Sequence, residues 1–192
     1  MKRVFSLLEF DSQRYLFIVT ITIKHLTLVQ KSEDFMSVEI ERKFLVKNDD
    51  FKKESHQKKY IKQGYLNSDK NRTVRVRIAN DKAFITIKGK SNVSGTTRFE
   101  WEKEIDKSEA EELFLLCEPS IIEKIRYLVK VNHHTFEVDE FFGDNLGLVI
   151  AEVELNSETE NFTKPSWLNN EVTGDIKFYN SSISKNPYKN WA

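Results

Sequence analysis

Apolar and polar residues alternate along eight short stretches of the chain, with the period expected of β-strands. In the first stretch, for example, Val38, Ile40 and Phe44 alternate with charged residues. The predicted strands cover residues 38–46, 60–66, 73–78, 83–88, 98–105, 122–131, 135–141 and 148–155. Because short connections separate most of them, antiparallel pairing is expected. The pattern predicts an α+β fold in which antiparallel strands dominate.

Helices form a minority of the predicted elements. Ser108 and Glu111 have the spacing of a capping box at the start of a helix that Pro119 ends. Ser157 and Glu160 offer a second capping box, and Pro165 is placed to open a short helix.

A polar run separates the first part of the chain from the alternating strands. The run extends from Gln30 to Phe35 and is followed by Met36, where the strand pattern begins abruptly. We expect residues 1–35 to be an N-terminal extension, or the product of a start site placed too early. Residues 36–192 are expected to form the working domain. The extension contains one apolar stretch, residues 15–22, that predicts a strand, and no function is assigned to it.

The polar partners in the alternating stretches are almost all charged, and they fall on one face of each predicted strand. The carboxylates on this face are Glu39, Glu41, Glu100, Glu102, Glu137, Asp139, Glu152 and Glu154. The cations are Lys43, Arg75, Arg77, Lys88, Arg98, Lys124 and Arg126. Two arrangements can hold such a face: an open sheet whose charged side meets water, or a barrel closed with the charges inside. The alternation alone does not decide between them.

Clustered like charges favour the closed arrangement. Glu39 and Glu41 repel each other when they share a face, and a hard divalent cation relieves that repulsion. Arg75 and Arg77 suit a polyanion because guanidinium forks match phosphate oxygens. Carboxylates and cations on one surface are what metal-assisted phosphoryl transfer requires. A charged interior destabilises a fold unless its charges bind each other, ions or ligands, so we expect this face to be functional.

The composition narrows the classes of function further. Thirty basic and thirty acidic side chains give a net charge of zero. The net charge therefore gives no reason to expect binding to nucleic acid or to an anionic membrane. No stretch reaches the roughly 18 apolar residues of a membrane span. Cys117 is the one cysteine and has no partner for an internal disulfide, so a cytoplasmic protein is expected. The sequence has no zinc-type histidine spacing and no glycine-rich phosphate loop.

Short motifs in a fixed order resemble the CYTH domain, or triphosphate tunnel metalloenzyme, family. The first is Glu39-Ile40-Glu41-Arg42-Lys43, which matches the ExExK signature that opens CYTH domains. The others lie at residues 63–66, 75–77, 86–89, 98–102, 123–127, 137–141, 151–154 and 171–175. A lone ExExK motif is a weak signal, whereas the ordered set is specific. The resemblance runs from Met36 to about Asn180 and is closest to short, stand-alone bacterial members.

The resemblance implies an eight-stranded antiparallel β-barrel, a tunnel with a charged interior flanked by helices, that binds triphosphate with Mg²⁺ or Mn²⁺. The implied metal ligands are Glu39, Glu41, Asp139, Glu152 and Glu154. The implied phosphate-binding residues are Lys43, Arg75, Arg77, Lys88, Arg98, Lys124 and Arg126. Catalytic roles are implied for Lys43, Tyr65, Glu100 and Glu102, and Glu137 and Asp139 are candidates for orienting water. Tyr65 is either the proton acceptor or only an aromatic residue at the barrel rim.

The expected activity is divalent-metal-dependent hydrolysis of inorganic triphosphate or a related triphosphorylated compound. A class IV-type adenylate cyclase or a thiamine-triphosphatase remains an alternative, as does a non-catalytic module that binds polyphosphate or a nucleotide. A solvated sheet without a ligand is the last alternative. We expect a monomer or homodimer, with neither nucleic acid nor a membrane as partner. Two positions depart from the family's pattern: Ile176 stands where a basic residue is common, and Glu140 falls on the face expected to be apolar.

Overall fold

The computed structural model describes residues 37–69 and 71–191. The predicted boundary at residue 36 and the predicted strand at residues 15–22 lie outside the described residues. None of the described helices combines the length and the apolar composition that a membrane crossing needs.

The described part of the chain forms mainly β-strands, with a few short helices. The strands are β1 (Ser37–Val46), β2 (Gln57–Asp69), β3 (Arg72–Ala79), β4 (Lys82–Gly89), β5 (Thr97–Ile105), β6 (Ile122–Val131), β7 (His134–Phe141), β8 (Val149–Glu154) and β9 (Leu168–Glu171). The α-helices are α1 (Asp50–Glu54), α2 (Lys107–Phe114) and α3 (Asn180–Ile183). Single 3₁₀ turns lie at Gly143–Asn145, Ile176–Phe178 and Tyr188–Asn190. The eight predicted strands correspond to β1–β8.

Strand β1 closes the sheet into a barrel because it pairs with the strands on both sides of the gap. The order along the sheet is β5-β4-β3-β2-β6-β7-β8-β1-β9, and β1 also pairs with β5. Residues 37–40 lie opposite residues 97–100 of β5, and residues 41–45 lie opposite residues 150–154 of β8. Strand β9 pairs with the end of β1 beyond the β5 contact. The predicted eight-stranded antiparallel barrel is confirmed, and the alternative of an open, solvated sheet is wrong.

Apolar side chains cover the outside of the barrel in two clusters. In one, Phe136 packs edge-on against Trp167, which also contacts Phe51 of α1. In the other, Val76 packs with Ala110 of α2. Because side chains alternate across a strand, these outward apolar residues leave the charged residues inside.

A third apolar cluster fills one end of the barrel interior. Its buried members are Tyr65, Ile122, Phe141, Leu148, Ile150 and Ile183. Ile122 and Ile150 each lie two positions before an inward charged residue of the same strand, so they share its face. Ile183 belongs to α3, so the C-terminal segment, residues 172–185, covers this end of the barrel.

Helix α2 begins at Lys107, one residue before the predicted start at Ser108. The backbone of Asp106 is extended, and its N–H donates to the Glu109 carboxylate at 2.9 Å. The capping pair is therefore Asp106 and Glu109, and the predicted pair, Ser108 and Glu111, lies inside the helix. The helix also ends before the proline that the sequence suggests as its terminus.

In the described chain no helix forms at Ser157 or at Pro165, contrary to the prediction. Glu160 accepts a hydrogen bond from the Asn156 backbone N–H at 2.5 Å and contacts His134 at 2.9 Å. Pro165 begins a turn that leads into β9, which pairs with β1. The conformations at Ser157 and Pro165 depend on contacts with residues far away in the sequence. A local capping pattern contains no information about such contacts.

Glu140 lies on the outer face of β7, where the sequence places it, and it is paired there. Its carboxylate accepts hydrogen bonds from Lys52 of α1 at 2.7 Å and from the Tyr127 hydroxyl at 2.9 Å. Helix α1, which the sequence analysis does not predict, therefore compensates the charge that breaks the apolar pattern.

Candidate active site

The inward-facing side chains of the barrel enclose a cavity of about 1140 Å³. Most of the predicted site residues line it: Glu39, Glu41, Lys43, Tyr65, Arg75, Arg77, Lys88, Arg98, Glu100, Glu102, Arg126, Glu137, Glu152 and Glu154. The period of two along each strand brings these residues together from β1–β8. Acidic and basic side chains therefore converge on one enclosed space.

Ion pairs connect the charged side chains on the cavity wall. Arg98 Nε lies 2.9 Å from the Glu39 carboxylate, and Arg98 Nη2 lies 2.9 Å from that of Glu41. Lys43 Nζ lies 3.0 Å from Glu41 and also pairs with Glu152. Because each of these cations bridges two carboxylates, the wall compensates much of its own charge.

The ion pairs keep these groups charged despite their burial. Burial acts to raise the pKa of Glu39, yet Lys88 and Arg98 hold that pKa well below its usual range. Burial acts in the same direction on Glu152, and Lys43 is the main cause that brings its pKa well below the usual value. These carboxylates are therefore ionised at neutral pH and are available as oxygen ligands.

The negative charge of Glu154 is compensated less by nearby cations than that of the ion-paired carboxylates on the cavity wall. It lies directly opposite Glu41 in the β1–β8 pairing, and like charges directly opposite each other are unfavourable. Among the described residues no Lys or Arg forms an ion pair with it, and Lys88 acts to lower its pKa less strongly than the causes that raise it. Burial raises the pKa of Glu154, and the carboxylates of Glu39, Glu137 and Glu41 raise it further. A divalent cation beside Glu154 would neutralise this excess of negative charge.

The carboxylates fit a hard divalent cation by their chemistry, although they do not yet converge on one point. Within the described chain no three acidic, histidine or cysteine side chains have the arrangement that holds a metal ion. Lys43, Lys88 and Arg98 form ion pairs with the carboxylates of Glu39 and Glu41. Oxygen ligands alone are what Mg²⁺ and Mn²⁺ prefer.

Arg75 and Arg77 each have a guanidinium donor, Nε, that no group of the described residues uses. Both contact the Glu102 carboxylate, Arg77 at 2.8 Å and Arg75 at 3.4 Å. The Nε of each is buried without a hydrogen-bond partner among the described residues. Burial lowers the pKa of Arg77 to about 10, and the charge of Arg75 contributes. Two guanidinium groups side by side on the cavity wall fit an anion with several oxygens.

Lys124 and Asp139 form a buried pair that is not among the residues lining the cavity. Lys124 Nζ lies 2.5 Å from the Asp139 carboxylate, and Arg126 donates to both of its oxygens at 2.7 and 2.6 Å. The expectations of Asp139 as a metal ligand and of Lys124 as a phosphate ligand therefore find no support in the geometry, because each is occupied by the other. Burial lowers the pKa of Lys124 to about 8, against the effect of Asp139. Asp139 also accepts two hydrogen bonds from Arg126, which line the guanidinium group up against this pair.

Tyr65 lies inside the barrel and not at its rim. It packs in the interior apolar cluster with Ile122 and Phe141, and it also lines the cavity. Burial raises the pKa of Tyr65 to about 12, although Arg75 and Arg98 act to lower it. The phenol therefore carries its proton at neutral pH.

Two segments outside the eight predicted strands complete the cavity wall: the β4–β5 loop, to which the sequence analysis assigns no role, and the C-terminal segment, which carries the last family motif. Asn180 of α3 lines the cavity and accepts a hydrogen bond from Lys124 at 3.2 Å. Gly95 and Gly174, with φ of 74° and 76°, bring the two segments together. A Cβ at Gly174 would lie 2.7 Å from the Ser94 carbonyl oxygen. Gly174 belongs to the family motif at residues 171–175, and this motif is the feature of the sequence that could have indicated the contact.

Replacing Gly174 by alanine is expected to destabilise the protein more than the same change at Gly143. Both have positive φ, 76° and 59°, a conformation that costs an L-residue about 1–2 kcal/mol. A Cβ at Gly143 meets nothing within 4 Å, whereas one at Gly174 meets the β4–β5 loop backbone. Urea unfolding of the two variants measures the difference. Equal losses would contradict tight packing of the C-terminal segment on that loop.

The sequence matches known proteins over almost the whole described region. The family model described as the CYTH domain matches residues 37–185. An inorganic triphosphatase of Acetivibrio thermocellus is 49% identical over 157 residues, which are 81% of this chain and 99% of that protein. An inorganic triphosphatase of Nitrosomonas europaea is 34% identical over 150 residues, or 76% of this chain and 96% of that protein.

Solved structures share the barrel. The crystal structure of an inorganic triphosphatase aligns with a TM-score of 0.54 and 32% identity, covering 76% of this chain and 97% of that one. A protein from Pyrococcus horikoshii OT3 aligns with a TM-score of 0.52 and 25% identity, covering 62% and 79%. The resemblance seen in the motifs is confirmed, and the chain belongs to the CYTH domain family.

Proposed function

We propose that this protein hydrolyses inorganic triphosphate, or a related triphosphorylated compound, with a divalent cation inside the barrel. The observation that carries the proposal is the presence in one cavity of the under-compensated carboxylate of Glu154 and the neighbouring guanidinium groups of Arg75 and Arg77. The first suits a cation and the second a polyanion. The two relatives named inorganic triphosphatase, 49% and 34% identical, support this assignment.

Glu39, Glu41, Glu152 and Glu154 would hold the cation, either Mg²⁺ or Mn²⁺. When bound, the cation supplies Lewis-acid stabilisation of charge on the phosphate oxygens. Because all four side chains project from β1 and β8, paired strands of the barrel, their oxygens are held on a rigid scaffold.

The basic side chains of the wall would bind the phosphate oxygens. They are Lys43, Arg75, Arg77, Lys88, Arg98 and Arg126. Charge spreads over the transferred phosphoryl group in the transition state, and donors that are already fixed stabilise that charge without reorganisation. The ion pairs with wall carboxylates keep these donors ordered before the substrate arrives.

Tyr65 is proposed as the acceptor of the proton from the attacking water. The water oxygen forms a bond to the terminal phosphorus, the bond from that phosphorus to the leaving diphosphate oxygen breaks, and the water proton passes to the phenolate. Because the pKa of Tyr65 is about 12, the phenolate is scarce at neutral pH, and kcat/KM is expected to rise with pH. Glu100 and Glu102 are the alternative acceptors, and burial raises the pKa of Glu100.

The cavity is large enough to hold an organic triphosphate as well as inorganic triphosphate. Its volume of about 1140 Å³ is slightly above the ~300–1,000 Å³ typical of sites for drug-sized ligands. A nucleoside or thiamine group therefore has room beside the phosphate-binding residues. Adenylate cyclase and thiamine-triphosphatase activities remain the alternatives.

Phosphate release from triphosphate tests the proposal directly. The purified protein is expected to release phosphate with Mg²⁺ or Mn²⁺ and to stop when EDTA removes the cation. The same assay with ATP and thiamine triphosphate ranks the substrates, and formation of cyclic AMP would identify a cyclase. Tight binding of triphosphate without phosphate release, with both cations tried, would overturn the proposal in favour of a non-catalytic binding module.

A further inference from the structure

Gln63 is a buried amide that the proposed mechanism does not use. Its side chain is on the inward face of β2, opposite Arg77 of β3, and the residue is 1% exposed. Ile61, two residues earlier on the same face, is also 1% exposed. The strand therefore packs an apolar side chain at a comparable depth, and burial alone does not explain an amide at position 63.

The amide makes one side-chain hydrogen bond among the described residues. Gln63 Nε2 donates a hydrogen bond to the Tyr65 hydroxyl oxygen at 3.4 Å. Gln63 Oε1 is buried and has no hydrogen-bond partner within the described chain. An unsatisfied buried acceptor destabilises a fold. The contact with Tyr65 is thus what distinguishes Gln63 from an apolar side chain of the same size.

We infer that Gln63 is a positioning residue that acts through Tyr65, an inference that rests on the proposed function. Its N–H fixes the place of the phenol oxygen on the cavity wall. The same N–H stabilises negative charge on that oxygen when the phenol loses its proton. Gln63 is not among the residues that line the described cavity, so its effect reaches the substrate only through Tyr65.

The direction of the effect follows from the groups that face Tyr65. Burial raises its pKa to about 12, Arg75 of β3, Arg98 of β5 and Lys43 of β1 act to lower it, and Glu152 of β8 acts to raise it. Removing the amide N–H takes away one more group that stabilises the phenolate, so the pKa rises further. The alkaline rise of kcat/KM then moves to higher pH.

The variant Gln63→Met tests the inference because methionine is unbranched, apolar and of similar length. We expect kcat/KM for triphosphate at pH 8 to fall about tenfold, the effect of one hydrogen bond. The melting temperature is expected to stay the same or rise, because the unpartnered oxygen is gone. Lys62→Met is the matched control: the Lys62 ammonium lies over the Phe114 ring outside the barrel, so both quantities are expected to stay unchanged.

A double-mutant cycle separates positioning from packing. Tyr65→Phe removes the group through which Gln63 acts, so Gln63→Met is expected to cause no further loss of kcat/KM in that background. The same tenfold loss in both backgrounds, or an unchanged pH profile, overturns the inference. If Gln63→Met does not fold, Gln63→Leu is measured in the same two backgrounds. A wild-type protein that releases no phosphate would refute the proposed function instead, so the two failures are distinguishable.

Discussion

Replacement of Arg75 by alanine is expected to lower kcat/KM for triphosphate about 1000-fold, the scale of a lost arginine that stabilises phosphoryl transfer. Arg75 is buried in the cavity wall, and its Nε has no partner among the described residues. The guanidinium group of Arg75 lines the cavity, and a substrate phosphate is the group that it fits. Steady-state kinetics with Mn²⁺ and triphosphate measure the loss.

The same variant is expected to keep its fold. Glu102 retains hydrogen bonds from Arg77 and Thr86, at 2.8 and 2.6 Å, when Arg75 is removed. The change also removes a positive charge that acts to lower the pKa of Arg77. Arg72→Ala, at an exposed position of the same strand, is the matched control and is expected to keep full activity. A folded Arg75→Ala protein with wild-type kcat/KM would contradict the phosphate-binding role.

Replacement of Glu154 by alanine is expected to raise the Mn²⁺ concentration for half-maximal rate about 100-fold or more. Loss of even an outer partner of a metal ligand lowers metal affinity ~10–100-fold, and loss of a ligand should cost at least as much. Without metal, the variant is expected to be as stable as the wild type or more stable. The reason is that the carboxylates of Glu39, Glu41 and Glu137 no longer face a fourth negative charge.

Two readouts distinguish a metal ligand from a packing residue at this position. Glu104→Ala, an exposed carboxylate that pairs with Lys82 at 3.0 Å, is the matched control and should leave the metal requirement unchanged. Thermal unfolding with and without Mn²⁺ provides the second readout, because the wild type and the control should gain more stability from the cation than Glu154→Ala does. A Glu154→Ala protein with an unchanged Mn²⁺ requirement would remove Glu154 from the ligand set.

The strands and the charged face were predictable because both are local properties of the chain. A period of two in residues such as Glu39 and Glu41 assigns the face of a strand without any knowledge of its partners. Closure was not predictable from that period, since it depends on β1 pairing with both β5 and β8. The chemistry of the face supplied the missing argument: its like charges are tolerable only where ions, ligands or opposite charges meet them.

The parts that sequence reasoning missed are those whose conformation depends on distant contacts. Strand β9 follows a turn at Pro165 and is fixed by pairing with β1. Asn180 reaches the site because Ile183 anchors α3 in the interior apolar cluster. Neither segment has a periodic pattern of its own. Asp139 shows a different limit of the sequence analysis. The alternation correctly places its side chain inside the barrel, but it does not reveal that Lys124 and Arg126 already bind the carboxylate.

The central claim is that the charged interior of the barrel holds a divalent cation together with a triphosphate. Crystals grown with Mn²⁺ and a non-hydrolysable triphosphate analogue test it most directly, because anomalous diffraction locates the manganese. The account predicts manganese bound by oxygens of Glu39, Glu41, Glu152 or Glu154, with analogue phosphates on Arg75 and Arg77. An empty interior, or manganese and analogue bound only on the outer surface, would contradict it.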